Sequence, residues 1–181
     1  NHFQSDAVKE KTRNLNQIKD SHSQYRFDRM EELLSKNQKI TPQIAVDILR
    51  NKEGINDVPL GYGNEKAINQ LLAHHGVVFK PAQRLVWVSA SPYQLGEFVC
   101  YDLNTIFKNR NKDKDLISLA NEIMNIPADP FLKTTAYQNY TQFRIEDKKM
   151  DSFLANKTEL PSNDYINYYQ SLNPDYWIVY Y

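Results

Sequence analysis

Two short runs of β-branched and aromatic residues place the strongest constraint on what this chain can fold into. Residues 77–79 (Val-Val-Phe) and 85–88 (Leu-Val-Trp-Val) are joined through residues 80–83, in which Pro81 suits the second position of a tight turn. A third run of this kind covers residues 98–103. Because both hairpin strands are apolar at nearly every residue, the pattern predicts strands covered on both faces, as in a sheet between another sheet and a helical layer.

The spacing in residues 23–36 predicts an amphipathic helix whose apolar arc contains an arginine. At 100° per residue, the arc holds Leu33, Arg26, Met30, Leu34 and Phe27. An unpaired guanidinium is costly to bury, so Arg26 is expected to reach water or to have a carboxylate or carbonyl partner. A structural ion pair and a functional role both stay open for this residue.

Further helices and a C-terminal tail are predicted from the remaining pattern. Thr41 before Pro42 is a typical helix start, and this helix is expected to pack beside the first. Amphipathic helices are also predicted in residues 116–123 and 136–154. Residues 176–181 predict a buried strand or a docked tail, and the tyrosine stripes before them fit either packing or a carbohydrate platform.

The charge balance and hydropathy exclude several classes of protein. The 181 residues include 22 basic and 22 acidic side chains, which argues against a nucleic-acid or acidic-membrane surface. No apolar run approaches the roughly 18 residues that cross a bilayer. We therefore expect a soluble, globular chain with no nucleic-acid partner and no membrane span. The single Cys excludes an internal disulfide framework without locating the compartment.

Three segments over residues 1 to about 107 carry a family resemblance through their order and spacing. The first combines Asn1-His2-Phe3 with Ser23-x-x-Arg26-x-x-Arg29. The second is Ile48-Leu49-Arg50-Asn51, and the third is the hairpin with the strand that follows it. Together they resemble the isopenicillin N acyltransferase-like family of N-terminal nucleophile hydrolases, in which Asp is usual at the position of Asn51.

This resemblance implies an α+β fold, namely the C-terminal half of a four-layer αββα sandwich. Residues 1–107 would form the C-terminal part of the catalytic domain. Residues 108–181 would form a mainly helical, aromatic-rich extension packed on it. The resemblance also favours a secreted or periplasmic location.

The resemblance further implies an autoprocessed amide hydrolase or acyltransferase that acts on linear amide C–N bonds. In such enzymes self-cleavage makes a Cys the first residue, and its own α-amino group activates the thiol. Asn1 has no ionisable nucleophile, so the nucleophile is expected upstream, in the N-terminal part of the same precursor. This chain alone is then expected to be inactive.

The family pattern makes Asn1 and Arg26 the catalytic candidates, as donors of hydrogen bonds to the oxyanion of the tetrahedral intermediate. The expected substrate is a small acyl or amide compound, an acyl-CoA or acyl-amine among them, and no cofactor is expected. The rival interpretation is a non-catalytic binding or structural module, in which Arg26 is paired structurally and the aromatic C-terminal region binds a partner.

Three further residues are candidates for substrate binding. Ser23 is the first residue of the Ser23-x-x-Arg26-x-x-Arg29 motif. Tyr62 lies in a Gly-rich loop that lacks the Lys and spacing of a phosphate loop and is expected to border a substrate pocket. His75 is the third candidate, with a structural role left open.

The cysteine Cys100 and the histidines His2 and His22 are not expected to take part in chemistry. Cys100 is expected to be a small core residue, because no basic neighbour lowers its pKa locally. No metal site is expected, since neither His2 nor His22 has a Cys, Asp or Glu at ligand spacing.

Overall fold

The chain has an α+β fold in this computed structural model, which describes residues 16, 18, 21–108, 119–156 and 161–181. Its helices are α1 (His22–Ser35), α2 (Pro42–Leu49), α3 (Leu103–Lys108), α4 (Thr135–Asn156) and α5 (Asn163–Leu172). The helices predicted at residues 23–36, after Thr41 and at 136–154 are confirmed.

Local capping explains where the first two helices begin. The Ser21 hydroxyl accepts a hydrogen bond from the backbone amide of Gln24 at 3.0 Å. The Thr41 hydroxyl accepts one from the amide of Ile44 at 3.2 Å, with Pro42 in the first helical turn. Each cap satisfies one of the amide groups that a helix start leaves without a partner.

One antiparallel sheet of order β1-β2-β3 is formed by Val77–Lys80, Leu85–Ser89 and Phe98–Asp102. The hairpin turn is a short 3₁₀ segment, Pro81–Gln83, and Arg84 closes it with a left-handed φ of +55°. The register places Val78 opposite Trp87, and Trp87 opposite Cys100.

At its β1 edge, one face of the sheet is covered and the other face is open. Val78, Trp87 and Cys100 share the covered face and are 9%, 1% and 0% exposed. On the opposite face Val77 is 42% exposed and Phe79 is 67% exposed. The prediction of strands covered on both faces is therefore wrong for this edge. The sequence does not predict this difference in burial between the two faces, because the open face is as apolar as the covered one.

The open face is a continuous apolar surface, which we call the open sheet face. The strand register brings together six side chains on it: Val77, Phe79, Val86, Val88, Val99 and Tyr101. The four on β2 and β3 are partly buried by their neighbours.

Two clusters of buried side chains form the core. The first lies between the covered sheet face and α2, and consists of Val46, Val78, Trp87, Phe98, Cys100 and Ile126. The second joins the 71–95 region to α4, α5 and the C-terminal segment, and consists of Leu71, Leu95, Tyr140, Phe143, Tyr169, Leu172 and Val179. Each cluster thus contains side chains from before residue 108 and from after it.

Residues 119–123 differ from the sequence prediction, and the first two helices have different principal neighbours. Helix α2 has its principal contacts with β1, and α1 has its principal contacts with the turn at Ile55–Asp57. The described part of the predicted 116–123 helix holds a β-bridge at Ala120 and the start of a 3₁₀ turn, Glu122–Met124, while residues 116–118 lie outside the described residues. The C-terminal tail is a 3₁₀ turn, Trp177–Tyr180, and Val179 in it is buried in the second core cluster, so the docked-tail alternative is confirmed and the strand is not.

Arg50 links α2 to the segments beyond the sheet. The residue is 6% exposed, and its Nε donates to the carbonyl oxygen of Gln94 at 3.1 Å. Its Nη2 donates to the carbonyl oxygens of Gly96 and Pro127, each at 2.8 Å. The guanidinium also lies 5.2 Å from the centre of the Phe98 ring. Burial lowers the pKa of Arg50, partly opposed by Asp129 and Asp47.

We expect Arg50→Lys to destabilise the fold by about 2 kcal/mol or more, because one ammonium group cannot reach three carbonyl oxygens in the place of a planar guanidinium. Urea unfolding measures the change. Arg84→Lys is the matched control: Arg84 is exposed and contacts Asn104, so its replacement should cost less than about 0.5 kcal/mol. Equal unfolding midpoints for the two variants would contradict the role given to Arg50.

Candidate functional site

The buried arginine of α1 is Arg29, not Arg26. Arg29 is 0% exposed, and its Nε donates to Oδ1 of Asn51 at 3.0 Å. Its two terminal nitrogens donate to Glu32 at 2.8 Å and to Asp57 at 2.5 Å. Every side of this guanidinium has a polar partner, so its burial is compensated.

The carboxylates around Arg29 are held by the local backbone and by a lysine. Asp57 has a left-handed φ of +60°, a conformation that Asp tolerates better than most residues. Lys36 donates to Glu32 and to Asp57. Hydrogen bonds from Lys36 and Arg29 lower the pKa of Glu32 to about 2, and those from Arg29 and Lys36 lower the pKa of Asp57 as well.

Asn51 contributes to this network as an amide. Its Oδ1 accepts from Arg29, and its Nδ2 donates to Glu53 at 2.7 Å. A carboxylate at this position could not make the second bond and would repel Glu53. The amide therefore suits the two neighbours that Asn51 has here.

The predicted apolar arc of α1 is largely exposed. Phe27, Met30 and Leu34 are 55%, 36% and 40% exposed. The expectation that Arg26 lies within a buried stripe is therefore wrong. Arg29 points towards Asn51 and Asp57, which lie 22 and 28 residues further along the chain. Helical periodicity groups residues on one side of a helix, but it does not predict where such distant segments lie.

Arg26 is partly buried and has neutral hydrogen-bond partners. Its Nη1 donates to the carbonyl oxygen of Glu65, and its Nη2 donates to the Ser23 hydroxyl at 3.2 Å. The expected carbonyl partner is thus confirmed. Within the described ranges no ion pair includes Arg26, so the structural ion pair of α1 belongs to Arg29 instead. Among the residues that the structure describes, three of the five N–H donors of the Arg26 guanidinium have no acceptor.

Tyr62 lines a small cavity of about 190 Å³ together with Lys52, Glu53, Pro59, Leu60, Gly61 and Asp175. Its backbone is held by Asn173, whose Oδ1 accepts from the Tyr62 amide and whose Nδ2 donates to the Tyr62 carbonyl, both at 2.9 Å. Burial, with the charges of Glu53 and Asp175, raises the pKa of Tyr62.

The other candidates lie apart from this cavity. Ser23 and Arg26 contact each other on α1, whereas His75 is exposed just before β1. None of these three lines the cavity at Tyr62. Asn1 lies outside the described residues. Cys100 is 0% exposed, and burial raises the pKa of its thiol, which confirms it as a core residue.

A larger cavity beside the one at Tyr62 is lined by Arg50 and Asn51 of the second resemblance segment and by Lys52, which the sequence did not single out. Its volume is about 420 Å³, and it shares Lys52 and Glu53 with the smaller cavity. The ammonium group of Lys52 lies 3.4 Å from Asp129 and 4.6 Å from the centre of the Phe131 ring. No sequence signal joins Lys52 to a residue 77 positions away.

Comparisons of this chain with family models, with curated proteins and with solved structures found no match. Among the residues that the structure describes, no helix is long and apolar enough to cross a membrane. The same residues contain no group of three or more His, Cys, Asp or Glu side chains placed to hold a metal ion.

The Arg29 network predicts a loss of stability in acid. The unfolded chain protonates Glu32 near pH 4.5 and the folded chain near pH 2, so the stabilisation is present above the first value and is lost as the pH falls towards the second. Glu32→Gln should reduce the fall in unfolding free energy over this range, measured by urea titrations at successive pH values. The exposed neighbour Glu31 provides the control, Glu31→Gln. Identical pH dependence in Glu32→Gln and the unsubstituted protein would contradict the assignment.

Proposed function

We propose that this chain forms part of an N-terminal nucleophile amide hydrolase or acyltransferase. The observation that carries the proposal is the open sheet face. A sheet with helical cover on one side and an apolar surface on the other is what half of an αββα sandwich supplies, and the missing layer would be a second sheet. The proposed partner for that surface is the N-terminal part of the same precursor.

In the proposed reaction, the thiol of an upstream N-terminal Cys attacks the acyl carbon of a linear amide, and its own α-amino group takes the thiol proton. The C–N bond breaks, and the amine leaves with that proton. The acyl thioester then passes to water or to a second amine. Asn1 and Arg26 would donate hydrogen bonds to the oxyanion that forms in each half-reaction.

The contacts of Arg26 support this role. Its remaining N–H donors are available to a developing negative charge, since no carboxylate in the described part of the chain is paired with this guanidinium. The hydrogen bond to Ser23 and the one to the Glu65 carbonyl hold the guanidinium in place before the charge develops. Fixed donors of this kind are effective because they need no reorganisation during the reaction.

A binding module is the second candidate, favoured by exposed aromatic residues at the C-terminal end. Trp177, Tyr180 and Tyr181 are 59%, 57% and 100% exposed. Aromatic side chains with a polar tip are common in protein and carbohydrate contacts. Under this alternative, Arg26 would affect stability and not turnover.

In the intact protein, Arg26→Ala should lower kcat by about 100-fold or more, because it removes an oxyanion donor, while the Tm stays unchanged. Activity is measured as amine release from acyl-amide substrates. Arg29→Ala is the structural comparison and should lower the Tm, since it removes the buried guanidinium that joins Glu32, Asp57 and Asn51 and leaves only Lys36 paired with the two carboxylates. An Arg26→Ala protein with full turnover and a lowered Tm would reject the catalytic role.

The open sheet face gives an independent prediction. Val88→Glu should prevent this chain from associating with the N-terminal part of the precursor when the two are co-expressed, because it places a charge where two sheets would pack. Co-purification measures the association. Val58→Glu is the matched control, because Val58 is 51% exposed and lies on a loop away from the sheet. Unchanged co-purification of Val88→Glu would exclude this face as the contact surface.

The coding DNA upstream of Asn1 tests the reaction class directly. A Cys codon at a self-cleavage point, followed by strand-like alternation, is the expected result. A start codon in frame with no Cys, Ser or Thr at such a point would falsify the hydrolase proposal and leave the binding module.

A further inference from the structure

A tyrosine-lined cavity lies between the 93–94 turn and one side of α4. Its volume is about 420 Å³, and it is lined by Tyr93, Tyr137, Tyr140, Thr141, Arg144, Ile145 and Lys148. The α4 residues recur every three or four positions, so they form one face of that helix. A cavity of this size accommodates a small molecule.

Two cations on this face have no carboxylate partner. The Arg144 guanidinium lies 5.4 Å from the centre of the Tyr93 ring, and its Nη1 donates to the Tyr93 hydroxyl. The ion pairs in the described portion of the chain include neither Arg144 nor Lys148. One turn of helix separates the two side chains, so their positive charges face the same space.

The hydroxyl of Tyr140 is buried without a hydrogen-bond partner in the part of the chain that the structure describes. Tyr140 is 3% exposed, and burial raises its pKa to about 12, which keeps the group a neutral donor. Two tyrosines on α5 have hydrogen-bond partners: the hydroxyl of the partly buried Tyr165 donates to Glu146 at 2.9 Å, and that of the buried Tyr169 donates to Asp147 at 2.6 Å. A buried hydroxyl without a partner among the described residues is unusual, and this one belongs to a tyrosine that lines the cavity.

Backbone conformation on the other side of the cavity is also unusual. Tyr93 and Gln94 have left-handed φ values of +48° and +64°, although neither is glycine. The Asn69 side chain donates to the Tyr93 carbonyl at 3.0 Å and the Gln94 carbonyl accepts from Arg50, so buried side chains hold this turn. Such conformations persist where the surrounding structure imposes them, and they cluster at ligand sites.

We propose that this cavity binds the phosphate ester of a ring that has an apolar face. The phosphate would lie between Arg144 and Lys148, whose two positive charges match a phosphate dianion, and the Tyr140 hydroxyl would donate to one of its oxygens. The ring would pack against Tyr93 and Tyr137. The ring could be aromatic or a sugar, because both present an apolar face to tyrosine. This inference does not rest on the proposed acyl transfer.

Calorimetric titration of the intact protein tests the site with phenyl phosphate, glucose 6-phosphate, inorganic phosphate and phenol. At least one ester should bind more tightly than inorganic phosphate and phenol, and which ester binds better identifies the ring. Arg144→Gln and Lys148→Gln should each weaken that binding about tenfold or more. Lys149→Gln removes the same charge one residue away, from a side chain that is paired with Glu146, and should leave binding unchanged.

Tyr140→Phe separates a binding role from a structural one. Losing only the hydroxyl should weaken ester binding while the Tm stays the same or rises, because an unpaired buried hydroxyl no longer has to be accommodated. The proposal is overturned if neither ester binds more tightly than inorganic phosphate. It is equally overturned if Lys149→Gln weakens binding as much as Lys148→Gln, since that result indicates a general effect of surface charge.

Discussion

The hydrogen bonds from Arg50 to three backbone carbonyls are the interaction on which the rest of the structure depends. They connect the end of α2 to the 94–96 turn and to Pro127, two segments that the bond from the Asp129 amide to the Leu95 carbonyl also joins to each other. The turn can approach so closely because position 96 is glycine: a Cβ there would lie 2.4 Å from the carbonyl oxygens of Ala90 and Ser91. One buried cation thereby fixes the sheet, its helical cover and the Tyr93 turn relative to each other.

Arginines in this protein serve different purposes according to their acceptors. Arg50 is bound by neutral carbonyls and Arg29 by two carboxylates and an amide, and both side chains are buried within the structure. Arg26 and Arg144 are held by few neutral acceptors and keep donors to offer. The distinction follows from the fixed fork of the guanidinium, which binds an additional anion only on the sides that the protein leaves open.

Sequence reasoning succeeded where the deciding contacts are local. The predicted cap at Thr41 lies within three residues of the amide it binds, and the three strands follow β-branched runs. It failed for the arginine of α1, whose partners Asn51 and Asp57 are distant in the chain. Burial of the sheet could not be derived from the strands alone, because both faces carry the same kind of side chain. The cavity on α4 was missed because its tyrosines resemble ordinary packing.

The paired hydrogen bonds between Asn173 and the Tyr62 backbone have a consequence for synthesis of the chain. These residues are 111 positions apart, so at ~5–20 residues per second the ribosome adds Asn173 roughly 6 to 20 seconds after Tyr62. The β1–β2 hairpin can pair long before that time, because its partners are close in sequence. The Tyr62 peptide group has no Asn173 partner during this interval, and the cavity beside it is completed only after Asp175 has been added.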